Sequence, residues 1–325
     1  MATVITNLMS AIPWVGQDIV ESNNIIDIYT RPIYLSMLPI VGNIHINALN
    51  KLNNTKIISE KEYISIPKSF LGFLVGFIDG DGYIQISKTS KGFITIKLVI
   101  SLHLNDLSTL EYIHSVIKIG NITTYRDNRS PTCKLIINRT DLQKVIFPLL
   151  LYHNIFFLSH TRRAQFDLAM YILKNDVKIF HALQEIDGKS NISSFFFHAE
   201  QENATDYLNL HFFRNWIVGF TMAEGSFFVK NNKDGCFQLK QRLHLNLFEA
   251  FKLAFNTNRK IYTEKGLYNQ FGISSKLDVQ EVINFFSFSG LHPLIGLKGI
   301  QYMKWLENLS SSTRYRNLHF PSDIN

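Results

Sequence analysis

Two acidic residues stand out for chemistry because each ends the same short phrase. Leu74-Val75-Gly76-Phe77-Ile78-Asp79-Gly80-Asp81-Gly82 is matched by Ile217-Val218-Gly219-Phe220-Thr221-Met222-Ala223-Glu224-Gly225 in the second half of the chain. One offset of 143 residues carries Gly76, Asp81 and Gly82 onto Gly219, Glu224 and Gly225. Gly72, Gly76 and Gly80 recur at spacings of four, and Gly219 and Ala223 repeat the stripe. Each glycine costs a helix about 1 kcal/mol against alanine, which makes sense where two helix backbones approach closely along a seam of small residues. Paired in parallel about a pseudo-two-fold axis, the helices bring Asp81 and Glu224 together at their C-terminal ends. The helix macrodipole is negative there, and two carboxylates repel. Divalent cations offset both costs, and hard carboxylate and carbonyl oxygens suit Mg2+. Such a pair can hold metals that activate water and stabilise the leaving oxygen at a phosphodiester. A calcium-binding loop starting at Asp79 is excluded, because Ile84 stands where its glycine belongs and Ser90 where its glutamate belongs.

The elements that must position these acids also repeat. Pro67 suits the first turn of a helix running to about Asp79. Ile84 and Ile86 then alternate with Tyr83, Gln85 and Ser87, and after Ser90-Lys91-Gly92 come Ile94, Ile96, Leu98, Ile100 and Leu102 on one parity. In the second half Phe237, Leu239, Leu243 and Leu245 share one parity, with Gln238, Lys240, Arg242 and His244 on the other. Each half reads as helix, hairpin, helix, hairpin, helix, helix. Sheets with one apolar and one polar-basic face should carry helices on the first. The basic face is left free to lie against a groove.

Charge agrees with a polyanionic partner. The 325 residues carry a net charge of +7 and a pI near 9.2, with 46% apolar and 18% charged residues, which excludes a disordered charged chain. By segment, residues 1–66 net −1, 67–174 net +6, 175–211 net −4 and 212–325 net +6. Two basic segments of similar length flank an acidic connector, and a basic surface binds nucleic acid by releasing condensed counterions. Cys133 and Cys236 have no C-x-x-C partner, so a disulfide scaffold and a thiolate zinc site are excluded and a reducing compartment is expected. No run of eighteen apolar residues is present, so no membrane span is expected.

From the two phrases and their spacing, residues 67–320 resemble the LAGLIDADG family of homing endonucleases and intron maturases, in its single-chain two-repeat form. The resemblance implies an α+β fold: two pseudo-symmetric αββαββα repeats forming a saddle of two four-stranded antiparallel sheets, with the phrase helices paired at the centre. It implies a monomer that recognises long double-stranded DNA sites and makes a staggered cut with Mg2+ or another divalent cation. Matched to the last acidic position of the motif, Asp81 and Glu224 would be metal ligands, with the Gly80 and Ala223 carbonyls close by. Asp79 is kept at the sixth motif position but Met222 replaces its counterpart, so altered packing is expected there. Lys298 resembles a lysine the family places early in the helix after the second hairpin, and Arg162 stands in that place in the first repeat. An arginine stabilises charge but cannot act as a base. Gln241 breaks an apolar parity where the family often has a polar residue near the metals; a surface lysine and a strand-end amide are equally good readings of Lys298 and Gln241. DNA contact falls to Tyr83, Gln85, Ser87, Lys97, Ser226, Phe228, Lys230, Gln238, Lys240 and Arg242, flanked by Arg126, Arg129, Lys134 and Lys260.

Residues 2–21 lie outside the repeats and resemble a stretch of mitochondrial cytochrome b, centred on Ser10-Ala11-Ile12-Pro13-Trp14. That implies an intron reading frame fused to an upstream exon, and a protein of the mitochondrial matrix. The segment has no arginines and contains acids, so it is not a presequence. Residues 1–66 are expected to be exon-derived and linker sequence, poorly ordered or processed, and 175–211 to be an inter-repeat connector onto which Phe195-Phe196-Phe197 could pack. Three functions stay open: a DNA endonuclease, an RNA-binding maturase that helps its group I intron splice without cutting DNA, and a decayed DNA-binding module. Retention of both acids argues against decay; the endonuclease is the preferred reading, and cutting and splicing by one protein stay compatible.

Overall fold

The computed structural model describes residues 60–322, apart from 128, 184–200, 202 and 243. After a short helix α1 (Glu60–Ile64), the first repeat runs through α2 (Lys68–Asp81), β1 (Gly82–Lys88), β2 (Ile94–His103), α3 (Leu107–Ile117), β3 (Asn121–Tyr125) and β4 (Thr132–Asn138). A helical stretch that includes α4 (Phe147–Tyr152) leads to α5 (His160–Lys174). The second repeat follows α6 (Ala204–Leu208) with α7 (Phe213–Glu224), β5 (Gly225–Val229), β6 (Gly235–Arg242), α8 (Leu245–Ala254), β7 (Tyr262–Glu264), β8 (Tyr268–Ile273), α9 (Lys276–Ile283) and α10 (Gly296–Ser310). The strands form two four-stranded antiparallel sheets of matching order, β1-β2-β4-β3 and β5-β6-β8-β7.

The α2–α7 seam holds the repeats together. A Cβ on Gly76 would lie 2.0 Å from the Trp216 carbonyl oxygen, and one on Gly219 would lie 1.8 Å from that of Phe73. With the 143-residue offset these are one contact read twice, so the helices cross reciprocally. Gly72 against Phe212 and Gly80 against Ala223 extend the seam in the same direction along both helices, which makes them parallel. Only glycine lets the backbones meet at this separation. Both helices are buried along most of their length, and Phe73, Phe77, Trp216 and Phe220 are fully enclosed.

Each sheet packs one parity against helices. Ile84, Ile94, Ile96, Leu98, Ile100, Cys133, Leu135 and Ile137 are buried in the first, and Phe227, Phe237, Leu239, Phe271 and Ile273 in the second. The structure departs from one strand expectation and adds detail at both ends of the repeats. Tyr63 and Ile66 are buried in the core, so the packed structure includes residues ahead of Pro67; residues 1–59 lie outside the described residues. Leu245 does not continue the β6 parity: the strand ends at Arg242, and Leu245 opens α8 exposed to solvent, while Leu243 lies outside the described residues. The connector is partly built into the repeats, since Phe93 bridges Ile179 at one end and α6 buries Tyr207 at the other. Phe195-Phe196-Phe197 lies outside the described residues. Among the described residues, no helix is long and apolar enough to cross a membrane, and both cysteines are free and buried.

Candidate metal centre and nucleic-acid interface

α2 and α7 pass straight into β1 and β5, with Gly82 and Gly225 extended at the junctions. The last helical residues are therefore held between the seam and the sheets, and those residues are Asp81 and Glu224. At this point the Glu224 Cγ is 3.3 Å from where a Cβ on Gly80 would sit, so its side chain reaches across the seam. Burial, then the Glu224 charge, pushes the Asp81 carboxyl up to about 6, while Lys298 and Arg162 pull it down. Burial also raises Glu224, opposed by the Gln241 hydrogen bond, Arg162 and Lys298. Two half-buried carboxyls thus repel one another with two cations alongside.

The neighbouring polar groups are already engaged. Gln241 Nε2 donates to Glu224 Oε1 at 2.8 Å, and its own Oε1 accepts from Arg242 N–H, so it orients the acid. Arg162 Nε donates to the Ile78 carbonyl at 3.2 Å, and its Nη1 reaches Gln165 Oε1, which also accepts from Ile84 N–H. Lys298 Nζ donates to the Gly225 carbonyl. Burial pulls both cations below their ordinary pKa, and the surrounding acids raise them again. Gln165 was not singled out by the sequence; its i+3 spacing from Arg162 was the available signal.

Asp79, two residues before Asp81, has a different task. Its buried carboxylate accepts from Leu158 N–H, Ser159 N–H, Ser159 Oγ–H and Trp216 Nε1–H at 2.6–3.2 Å. Burial pushes it up to about 6 and the four donors pull the other way. The corresponding Met222 is buried, and its Sδ accepts from Ile295 N–H. Both residues grip the start of the final helix of their own repeat, one by charge and the other by sulfur.

The outward face of the first sheet sets Gln85 opposite Lys97, Lys97 opposite Asn138, and Lys134 opposite Ser101 and Thr123. Tyr83, Gln85 and Lys97 are exposed, Ser87 is bonded to Thr95, and the Lys134 ammonium sits 5.2 Å from the Tyr125 ring. In the second sheet Ser226 opposes Gln238, Lys240 opposes Gln270, and Arg242 opposes Tyr268. Lys240 is ion-paired with Glu264 and lies over Tyr268, so part of its charge is spent within the sheet. Phe228 and Gln238 are half-buried; Lys230, Arg242, Arg126, Arg129 and Lys260 are exposed, with Arg126 next to edge strand β3 and Lys260 near edge strand β7. Tyr125, Tyr262 and Gln270 join these faces and were missed. The alternation of Gln270 with Asn269 and Phe271 could have found it.

The donor set at the paired acids fits a hard cation. Two carboxylates are present, flanked by helix C-terminal carbonyls, and no His, Cys, Asp or Glu cluster of three or more gathers anywhere among the described residues. A cation here would complete its shell with water and substrate oxygens, the habit of Mg2+.

The LAGLIDADG endonuclease family model matches residues 74–156 and 217–309. A probable intron-encoded endonuclease aI3 of Dictyostelium discoideum is 25% identical over 245 residues, spanning 74% of this chain and 95% of that protein. Among solved structures, the LAGLIDADG meganuclease I-AabMI bound to uncleaved DNA superposes with a TM-score of 0.54 at 22% identity, covering 72% of this chain and 88% of that one. I-SmaMI bound to uncleaved DNA target in the presence of calcium ions gives 0.54 at 18% identity, covering 74% and 90%. With its two repeats, reciprocal seam and matching sheets, the chain belongs to the LAGLIDADG endonuclease family.

Proposed function

We propose that this protein is an intron-encoded, site-specific endonuclease that cuts double-stranded DNA in a metal-dependent reaction. Its target is the intronless cytochrome b exon junction, reached as a monomer in the mitochondrial matrix. The observation that carries the reading is the meeting of Asp81 and Glu224 at the ends of two reciprocally crossed helices, with Lys298 and Arg162 beside them. Asp81 and Glu224, with the Gly80 and Ala223 carbonyls, would hold divalent cations, which when bound activate water and stabilise the leaving oxygen.

The chain's own groups supply the rest. Gln241 fixes the Glu224 carboxylate. Lys298 and Arg162 place positive charge next to the acids, where it can stabilise charge developing on phosphate oxygens. Arg162 remains protonated throughout, and only Lys298 could also move a proton. The outward faces of both sheets offer Gln85, Gln238 and Arg242 to base edges, with Lys97 and Lys230 neutralising phosphate. The cytochrome b assignment rests on residues 2–21, which lie outside the described residues.

The test incubates purified protein and Mg2+ with a duplex spanning the exon junction and, in parallel, with the intron transcript. Cutting of the duplex is expected. Intact duplex together with accelerated splicing would overturn the endonuclease reading in favour of a maturase.

A further inference from the structure

The final helices of the two repeats, α5 and α10, carry Arg162 and Lys298, and each begins against the opposite repeat. α10 has no capping side chain of its own. Pro293-Leu294-Ile295 ahead of it contains none of the short oxygen-bearing residues that cap helices. The missing acceptor comes from the first repeat. Leu297 N–H donates to Asp106 Oδ1 at 3.0 Å, and Thr109 Oγ holds the same oxygen at 2.8 Å. Asp106 is the residue at the start of α3. Gly296 permits the approach: its φ is +53°, and a Cβ there would fall 2.3 Å from Asp106 Oδ1 and 2.0 Å from Thr109 Oγ1.

The second repeat returns the contact in another form. His244 occupies the place of Asp106, at the start of α8. Its Nε2 lies 3.2 Å from the Leu158 carbonyl just ahead of α5, and its ring stacks on His160 with centroids 4.2 Å apart. α5 also has its own cap in Ser159, whereas among the described residues α10 receives its side-chain oxygen from Asp106.

We propose that Asp106 is a positioning residue acting across the repeats: by capping α10 it fixes the first helical turn, and with it Lys298, whose ammonium bonds the Gly225 carbonyl beside Glu224. A carboxylate is suited to this place because the N-terminus of a helix carries partial positive charge. The kinetic arm of the claim rests on the endonuclease reading; the structural arm does not.

Both arms use the full chain and the variants Asp106→Ala, Asp106→Asn and Lys298→Met. Single-turnover cleavage is followed on a duplex labelled separately on each strand. Because Lys298 serves one side of the pseudo-two-fold axis and Arg162 the other, Asp106→Ala slows by about tenfold the strand that Lys298→Met slows, and spares the other. The double variant cuts no more slowly than Lys298→Met alone, since the two act through one group. Asp106→Asn keeps an acceptor oxygen and restores most of the rate. In parallel, amide hydrogen exchange at Leu297 rises about tenfold in Asp106→Ala, and falls back in Asp106→Asn. Independent, multiplying effects of the two substitutions, or equal slowing of both strands, would overturn the proposal. Unchanged exchange at Leu297 overturns it even if the wild-type protein cuts no DNA, an outcome that separately removes the endonuclease reading.

Discussion

Alanine in place of Gly219 tests the seam most directly. The added methyl would fall 1.8 Å from the Phe73 carbonyl oxygen and 2.7 Å from the Phe77 amide nitrogen, both backbone atoms of a helix that is itself enclosed. Relief to an ordinary contact requires α2 and α7 to part by about 1.5 Å, in an interior packed as densely as an organic crystal. Overpacking costs about 1–3 kcal/mol where side chains can yield, and here the upper end applies because backbone must move. Better helix propensity returns about 1 kcal/mol. The net loss is about 2 kcal/mol, a drop in Tm of about 3–4 °C for a chain of this size. Gly76→Ala should behave alike, with its methyl 2.0 Å from the Trp216 carbonyl oxygen. Gly72→Ala meets Phe212 only at 3.0 Å and should be near neutral, and Gly272→Ala, which meets nothing within 4 Å, should hold or raise stability. Circular dichroism melts of the four variants give the ranking. If Gly219→Ala melts with Gly272→Ala, the helices do not cross as described.

Asp81→Asn and Glu224→Gln should each lower cleavage by about two orders of magnitude or more while duplex binding survives, measured by gel-resolved cutting and by filter binding. Binding should weaken steeply with salt; Lys97→Met or Lys230→Met should each reduce the log–log slope by about 1, and Lys240→Met by less because Glu264 already pairs with it. Burial holds His153 and His244 at about 4, so the unfolded chain binds more protons between about pH 4 and 6.5 and stability falls as pH falls through that window. Asp79 and Asp81, pushed up to about 6, act in the opposite direction. The difference in stability between wild type and His153→Gln across the window isolates the histidine, and a pH-independent difference would contradict its burial as the neutral form.

The parts legible in the sequence were those in which local pattern and tertiary need coincide. Gly76 and Gly219 had to be small for any close helix pair, and the alternation from Ile94 to Leu102 had only one way to face a core. Leu245 broke its pattern because the chain turns into α8 after Arg242, a change that parity alone does not encode. Gln241 read as a polar interruption; its tie to Glu224 depends on a side-chain reach across 17 residues. Lys240 counted as free charge until Glu264 came to face it from β7. Asp106 was silent, because its partner Leu297 is 191 residues away and in the other repeat.

The contact between Trp216 and Asp79 has a consequence for how the two halves came to fit. The 143-residue offset sets Phe73 in the place of Trp216 and Met222 in the place of Asp79. One side of the crossing is thus an indole donor meeting a carboxylate, and the other side has a phenyl ring and a thioether in their places. Two copies of the first half facing each other would bury two aspartates without an indole to answer them, and two copies of the second would leave two indoles unanswered. The duplication has diverged into a matched left and right hand, each of which selects against its own likeness.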